Sequence, residues 1–386
     1  MDYICSKCGK KVSVSTRQAR CSCGGLWKLD FTPPPFRPDG IDKSQWSQFR
    51  YRKYMALEDE SWRELTLGEG MTPVVRMDGN VLLKMDYMMP TLSYKDRGAA
   101  VLMAHCKAAG VDYVVQDSSG NAGNSIAAYA SRAGIPCEIF VPQGTSPKKI
   151  TMIRAHGAVC TVVPGSRDAD LKKTGGPRLA VCTVVPGSRD HCAAVCREKA
   201  DREGLYYANH VYNPYFYEGT KTYIYEVMEQ LGRIPEHLVI PVGNGTLFLG
   251  AVKALEHLLE SGAIVSMPRI LAVQSEKCDP LLKAAQEGSR EPARVSPEPT
   301  LAEGIAIGVP MRGEEILEYA YKYHVQFIHA PEEKILEARE ILAGKGIYCE
   351  HTTAANYAAY LEFCRQNGET RDCLITMCGA GLKSDH

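Results

Sequence analysis

The sequence predicts an α/β fold: two open, mostly parallel sheets with helices on both faces, preceded by a small knuckle of cysteines. Three observations predict it. Apolar runs of strand length alternate with runs of helix length, glycines stand where strands give way to helices, and four cysteines crowd the first 23 residues. With 386 residues and 45% hydrophobic content, the chain is long enough for two packed domains. Its 45 basic and 45 acidic residues cancel, which gives no long-range attraction to nucleic acid or to an anionic membrane. The expected partners are a small-molecule substrate and other copies of the chain. No apolar stretch approaches the roughly 20 residues of a membrane span, and "MDYICSKCGK" lacks the apolar core of an export signal. The expected address is the cytoplasm, with most of the fifteen cysteines reduced and buried.

The elements follow in order. Cys5 and Cys8 form a C-x-x-C pair, Cys21 and Cys23 a tighter C-x-C pair, and the twelve residues between can fold back as a hairpin. Such a segment is too short for its own core, so a structural zinc held by four thiolates would supply folding energy. Redox pairs, a metal-free knuckle or nucleic-acid contact are the alternatives. "FTPPPFRPDG" (31–40) reads as a stiff linker. Beyond it come the strand "DYVVQD", the helix "NAGNSIAAYASRAG" closed by Gly134, the strand "CEIFVP", and the helix "SPKKITMIRAHG". Later come "HLVIPVG" as strand, "TLFLGAVKALEHLLESG" as helix, "RILAVQ" as strand and "CLITMC" as the last strand. The expected domains are the knuckle (1–33), a linker with the start of a large domain (34–90), a small mobile domain (91–204) and the rest of the large domain (205–386).

Sheets of this kind bind ligands where strands run out into loops, and three such loops are unusual. Ser118, Ser119 and Gly120, followed by Asn121, offer hydroxyls and free amides at a helix start, a cradle for a carboxylate. Gly243, Asn244, Gly245 and Thr246 let the backbone wrap a phosphate at the positive end of a helix, without matching a nucleotide fingerprint. "CGAGLK" (378–383) ends a buried strand with a thiol and two glycines. A fourth stretch, "SYKDRG" (93–98), puts Lys95 at a helix start, where it is either a solvated charge or a reactive amine. One lysine, one carboxylate cradle and one phosphate cradle suit pyridoxal phosphate, which carries its own phosphate and bonds covalently to an amine.

In "LGEGMTP" (67–73), "SYKDRG", "SSGNAGNS", "NPYFYEGTKT" (213–222), "VGNGT" and "CGAGLK", the chain resembles fold type II pyridoxal-phosphate enzymes, whose motifs run in this order. The resemblance is to the threonine synthases in particular, including the N-terminal cysteine knuckle, and it spans nearly the whole chain. It implies the fold of the tryptophan synthase β type and a homodimer. It also implies roles: Lys95 holds the cofactor and moves protons, Asn121 bonds the ring oxygen, and Ser118, Ser119 and Gly120 grip the substrate carboxylate. Gly243, Asn244, Gly245 and Thr246 hold the cofactor phosphate, and Cys378 faces the pyridine nitrogen.

Two departures bear on the substrate. Where threonine synthases read "NPYRIEGQKT", this chain has Phe216 for the arginine that suits a substrate phosphate, so Lys221, or else Arg154, is expected to compensate. "TLAEGIA" (300–306) resembles the matching stretch of threonine and serine dehydratases, and "GAGLK" lacks the histidine of "GHGLK". The implied activity is therefore a threonine synthase acting on O-phosphohomoserine, with three alternatives. They are an ammonia-eliminating lyase on serine, threonine or diaminopropionate, a β-replacement synthase of the cysteine synthase type, and a non-catalytic cofactor-binding homologue.

A tandem repeat stands apart. "AVCTVVPGSRD" occurs at 158–168 and again at 180–190, a period of 22. Two copies do not make a solenoid. One copy is expected to supply a sheet strand while the other loops out with "ADLKKTGGPRL".

Overall fold

The computed structural model describes residues 1–162, 180–185 and 189–383; the segment "ADLKKTGGPRL" (169–179) lies outside them. The chain opens with three short strands, β1 (Asp2–Cys5), β2 (Lys11–Ser13) and β3 (Trp27–Leu29). After α1 (Trp62–Leu65), β4 (Val74–Asp78) and β5 (Val81–Lys84) lead into α2 (Lys95–Ala108). Then come β6 (Val114–Gln116), α3 (Asn121–Ala133), β7 (Cys137–Pro142), α4 (Pro147–Ala155), β8 (Ala158–Val162), β9 (Ala180–Val185), α5 (Arg189–Glu203) and β10 (Tyr206–Tyr207). The chain continues through α6 (Pro214–Leu231), β11 (His237–Pro241), α7 (Thr246–Glu260), β12 (Arg269–Ser275) and α8 (Pro280–Gln286). It ends with α9 (Gly313–Lys322), β13 (Gln326–Ala330), α10 (Ile335–Gly344), α11 (His351–Asn367) and β14 (Cys373–Thr376).

Among the described residues the strands form three sheets. One is the antiparallel knuckle, with β1 in the middle. The second is parallel, in the order β10-β6-β7-β9-β8, and the third, β13-β12-β11-β14-β5-β4, is parallel except for β4. Because helices cover both faces, β6, β11 and β14 read as near-continuous apolar runs rather than alternating ones. The two-sheet architecture is the expected one. Strand β10 pairs with β6, so the smaller sheet runs past the boundary expected after residue 204.

Topology brings distant segments together. The last strand, β14, inserts between β11 and β5, which carries "CGAGLK" to the segment just before α2. The linker is no free spacer. Phe36 is buried against Tyr54 and Tyr225, with ring centroids 5.0 and 5.5 Å away, and its amide donates to Ser261 Oγ at 2.8 Å. The knuckle likewise borrows a core. Tyr3 stacks on Trp27 at 6.1 Å and meets Tyr215 of α6 edge-on at 6.1 Å, and the Arg312 guanidinium donates to the carbonyl of Trp27 at 3.1 Å.

The repeat departs from expectation. Both copies are strands: β9 pairs with β7, and β8 pairs with β9 so that each residue faces its own duplicate, Ala158 with Ala180 through Val162 with Val184. The reason is physical. An edge strand presents unpaired N–H and C=O groups, and an identical apolar segment nearby satisfies them in register. Deleting one 22-residue period leaves the same "AVCTVVPGSRD" beside β7 and merely moves the sheet edge inward. The shortened protein is expected to fold and bind cofactor as the full chain does; a lost unfolding transition would show that β8 is needed.

Candidate active site

Lys95 is the first residue of α2, and its position is set by the end of β14. The amide of Tyr94 donates to the carbonyl of Cys378 at 3.0 Å, the amide of Ala380 donates to the carbonyl of Leu92 at 3.1 Å, and Ser93 bridges Gly379. The Lys95 ammonium donates to the Tyr94 hydroxyl and, at 2.7 Å, to Thr246 Oγ1. Burial lowers its pKa from 10.5 to about 7, although the Glu350 carboxylate pulls the other way. This amine is half neutral near pH 7, where an ordinary lysine is neutral in well under one molecule in a thousand. Lys95 is half-buried, and its ammonium is bonded to protein hydroxyls.

The two charged residues that follow Lys95 are buried. Asp96 accepts from the Thr91 amide, the Thr91 hydroxyl and the Ser125 hydroxyl, each at 2.6 Å, which ties α2 to α3. Arg97 is fully buried and forks onto Asp86 at 2.7 and 2.8 Å, with Glu226 at 2.9 Å; Lys84 pairs with the other oxygen of Glu226. In the sequence these charges look like a solvated helix start. Only their partners on β5, α6 and the loop before α2 reveal a buried network.

Two of the three loops meet Lys95 or its neighbour Tyr94 directly, and the third is joined to them through Glu350. Thr246, after β11, touches the Lys95 ammonium, and it opens the 15-residue α7, whose first-turn amides have no partner inside the helix. Gly245 caps that helix in the left-handed conformation, φ 75°, which favours glycine. Gly243 is packed so that a Cβ would lie 3.0 Å from Ile305 Cα, leaving room for backbone alone. After β6, Ser118 Oγ accepts from the Gly120 amide at 3.3 Å. A Cβ on Gly123 would overlap the Ser118 carbonyl, 1.8 Å away, so the loop can close only on glycine. Asn121 donates to Glu350 Oε2 at 3.0 Å, and Glu350 Oε1 lies 3.8 Å from Cys378 Sγ. The Cys378 thiol is also 3.1 Å from Thr353 Oγ1. Burial, with the Glu350 carboxylate next in order, pushes that thiol well above its ordinary range, so it is neutral.

This donor set fits pyridoxal phosphate: a near-neutral amine, a helix start with glycine-only backbone for a phosphate, a side-chain amide and a neutral thiol. The family profile described as pyridoxal-phosphate dependent enzyme matches residues 65–379. The chain belongs to that family. Threonine synthase of Methanocaldococcus jannaschii is 27% identical over 98% of this chain and 92% of its own length. Threonine synthase of Mycobacterium leprae is 30% identical over 86% of this chain and 87% of its own. Among solved structures, the processed form of threonine deaminase isoform 2 from Solanum lycopersicum superposes with a TM-score of 0.68 at 18% identity, covering 92% of this chain and 88% of that one. Maize serine racemase gives 0.65 at 18% identity over 84% of this chain and 94% of the other. These likenesses carry the fold.

In this pyridoxal-phosphate enzyme, Lys95, Ser118, Ser119, Gly120, Asn121, Gly243, Asn244, Gly245, Thr246 and Cys378 stand on these three loops and the start of α2. Lys221 is the exception. Its ammonium is held by Glu218 at 2.7 Å and the Tyr54 carbonyl at 3.0 Å, and it lies over the Phe31 ring. As the residue three positions beyond Glu218 on α6, it closes an ion pair on its own helix instead of reaching substrate. Arg154 sits half-exposed in the last turn of α4, and among the described residues no hydrogen bond or ion pair joins it to the site. Sequence reasoning missed Glu350, Thr353 and His210. The first two follow no recognised loop motif, and His210 sits between "NPYFYE" and a two-residue strand.

The four knuckle thiols come together as the spacing implies. Cys5 and Cys23 are 3.4 Å apart, Cys8 and Cys21 3.7 Å, and all four sulfurs lie within 4.8 Å of one another. Tetrahedral zinc–thiolate bonds of about 2.3 Å would separate sulfurs by about 3.8 Å.

Proposed function

We propose that this chain is a lyase that removes the α-proton of an L-amino acid and expels a leaving group from the neighbouring carbons, by elimination or replacement. The observation that carries the reading is the amine of Lys95, which meets Thr246 Oγ1 at the start of α7 and whose pKa is lowered to about 7. Bound pyridoxal phosphate supplies an electron sink for the carbanion at Cα. Lys95 takes and returns the proton at that carbon. Ser118, Ser119 and Gly120 would hold the α-carboxylate at the start of α3, and Asn121, whose amide donates to Glu350 here, would turn it to the ring oxygen when the cofactor is bound. Gly243, Asn244, Gly245 and Thr246 take the cofactor phosphate. The neutral Cys378 thiol leaves the pyridine nitrogen unprotonated, which favours elimination and replacement over transamination.

The relatives' names support a threonine synthase, O-phosphohomoserine and water giving threonine and phosphate. A second reading, an ammonia-eliminating lyase, is favoured by Phe216, which stands where a guanidinium would meet a substrate phosphate, and by the pairing of Lys221 with Glu218. The cofactor-loaded protein is to be offered phosphohomoserine, threonine, serine and diaminopropionate while phosphate, ammonia and 2-oxo acid are measured. No change in cofactor absorbance and no product with any of them would leave a silent cofactor-binding homologue. A cytoplasmic homodimer remains the proposed setting.

We also infer a structural zinc at Cys5, Cys8, Cys21 and Cys23. About one zinc per chain is expected, and Cys8→Ser is expected to release it while pyridoxal phosphate stays bound. Because Tyr3 and Trp27 share the core of α2 and α6, metal loss is also expected to lower the unfolding temperature. Metal-free protein with undiminished stability would refute the site.

A further inference from the structure

We propose that Glu350 is a positioning residue of this active site, holding the Asn121 side chain so that its amino end, and not its carbonyl end, faces the cofactor ring. This rests on the reading above, in which Asn121 meets the ring oxygen of bound pyridoxal phosphate, and adds a residue to that site.

Glu350 stands immediately before α11, on backbone that it shares with Lys95. Its amide donates to the Gly379 carbonyl at 3.0 Å, and Cys349 bridges Ala380. On their other side the same two residues meet the segment before α2, where Ser93 bridges Gly379 and the Ala380 amide donates to the Leu92 carbonyl. A Cβ on Gly379 would overlap the Glu350 carboxylate, so the seat of that carboxylate exists only because residue 379 is glycine. From this seat it reaches the loop of the other sheet. Oε2 accepts from Asn121 Nδ2 at 3.0 Å, while Oε1 lies 3.8 Å from Cys378 Sγ. One carboxylate thus touches both side chains that would face the ring oxygen and the ring nitrogen.

An asparagine side chain is nearly symmetric in shape, so its partners decide which end points where. Among the described residues, the bond to Glu350 is the one hydrogen bond that the Asn121 side chain makes. A carboxylate accepts and cannot donate; a carbonyl turned toward it would set two acceptors against each other. The amino end therefore faces Glu350, and it carries two hydrogens. One is taken by the carboxylate, and the other is left for an acceptor beside it, so the turn toward the ring oxygen keeps the bond to Glu350. A charge-assisted bond of this kind is worth about 10- to 100-fold, enough to hold the amide in one orientation.

The simpler role, an acid that favours the positive start of α11, fits less well, since the Glu350 side chain accepts from no amide of that helix. The carboxylate acts on the amine as well. Lys95 and Lys383 both lie within reach of its charge, which opposes the burial that lowers their pKa values, while the thiols of Cys378 and Cys349 beside it are kept protonated by burial.

Affinity for pyridoxal phosphate is measured by equilibrium dialysis in the wild type, Glu350→Ala, Asn121→Ala and the double variant. Each single change is expected to weaken binding about 10-fold, and the double variant to bind within about 3-fold of Asn121→Ala, because the two side chains act as a unit. Repulsion between the carboxylate and the cofactor phosphate is present in both backgrounds and cancels in this cycle. Glu350→Gln, which keeps an acceptor of the same shape, is expected to recover part of the loss. It also removes the charge beside Lys95, so the midpoint of cofactor capture should move from about 7 to lower pH, which a helix-end role would not do. Unchanged affinity in Glu350→Ala, a double variant about 100-fold weaker than the wild type, or an unmoved midpoint in Glu350→Gln would overturn the role of Glu350 and leave the lyase standing. A wild type that takes up no cofactor at Lys95 would overturn the lyase reading itself, and this role with it.

Discussion

Lys95→Ala is expected to lower turnover by at least about 10²- to 10⁴-fold, the range that one positioned proton-transfer group contributes, with loss of the covalent hold on the cofactor in addition. Borohydride reduction of the wild type with pyridoxal phosphate should place a single label on the peptide containing Lys95. Two other buried lysines sharpen the test. Lys84 and Lys383 are also shifted down by burial, but Lys84 is held by Glu226 and Lys383 donates to the Thr91 carbonyl at 2.6 Å. Label on either would place the chemistry elsewhere. The pH dependence carries a definite sign. Only the neutral amine attacks an aldehyde, and the Lys95 pKa is lowered to about 7, so cofactor capture by the free protein should rise with pH through 7 and level off above 8. An amine of ordinary pKa would continue to gain toward pH 10; such a profile would refute the burial effect.

Arg97→Ala is expected to cost about 3–5 kcal/mol, because it leaves Asp86 and Glu226 charged in a fully buried place with Lys84 as the remaining cation. The exposed pair of Arg63 with Glu60 supplies the control: Arg63→Ala should cost no more than about 1 kcal/mol. Both are read from denaturant midpoints. Since Arg97 anchors the first turn of α2, its loss should also reduce cofactor occupancy at Lys95. Equal, small shifts for the two variants would mean that the buried network is not what holds that helix.

Much of the site was legible because backbone chemistry shows in short motifs. Glycines at 243 and 245 mark a loop that must bring amides close to a ligand, and a serine-glycine-asparagine turn before a helix marks an anion site. Alternating strand and helix lengths likewise showed a parallel sheet and where its loops emerge. Charged side chains were far less legible. Asp96 looks solvated until Thr91 and Ser125 of α3 take it, Arg97 until Asp86 and Glu226 of α6 take it, and Lys221 looks available until Glu218, three residues earlier, takes it.

The sequence by itself determined the family and marked Lys95 and two glycine-bearing helix starts as site candidates, since such motifs depend on local backbone geometry that a few neighbouring residues specify. It determined as well that four thiols could meet, because Cys23 lies 18 positions after Cys5 and a hairpin closes that distance. Tertiary structure alone decided that both copies of the repeat become strands, for an edge is defined by what lies beside it. It alone set Glu350 between Asn121 and Cys378, and His210 against Phe216. Those contacts join residues far apart in the chain, and their electrostatics depend on burial, which no local pattern encodes.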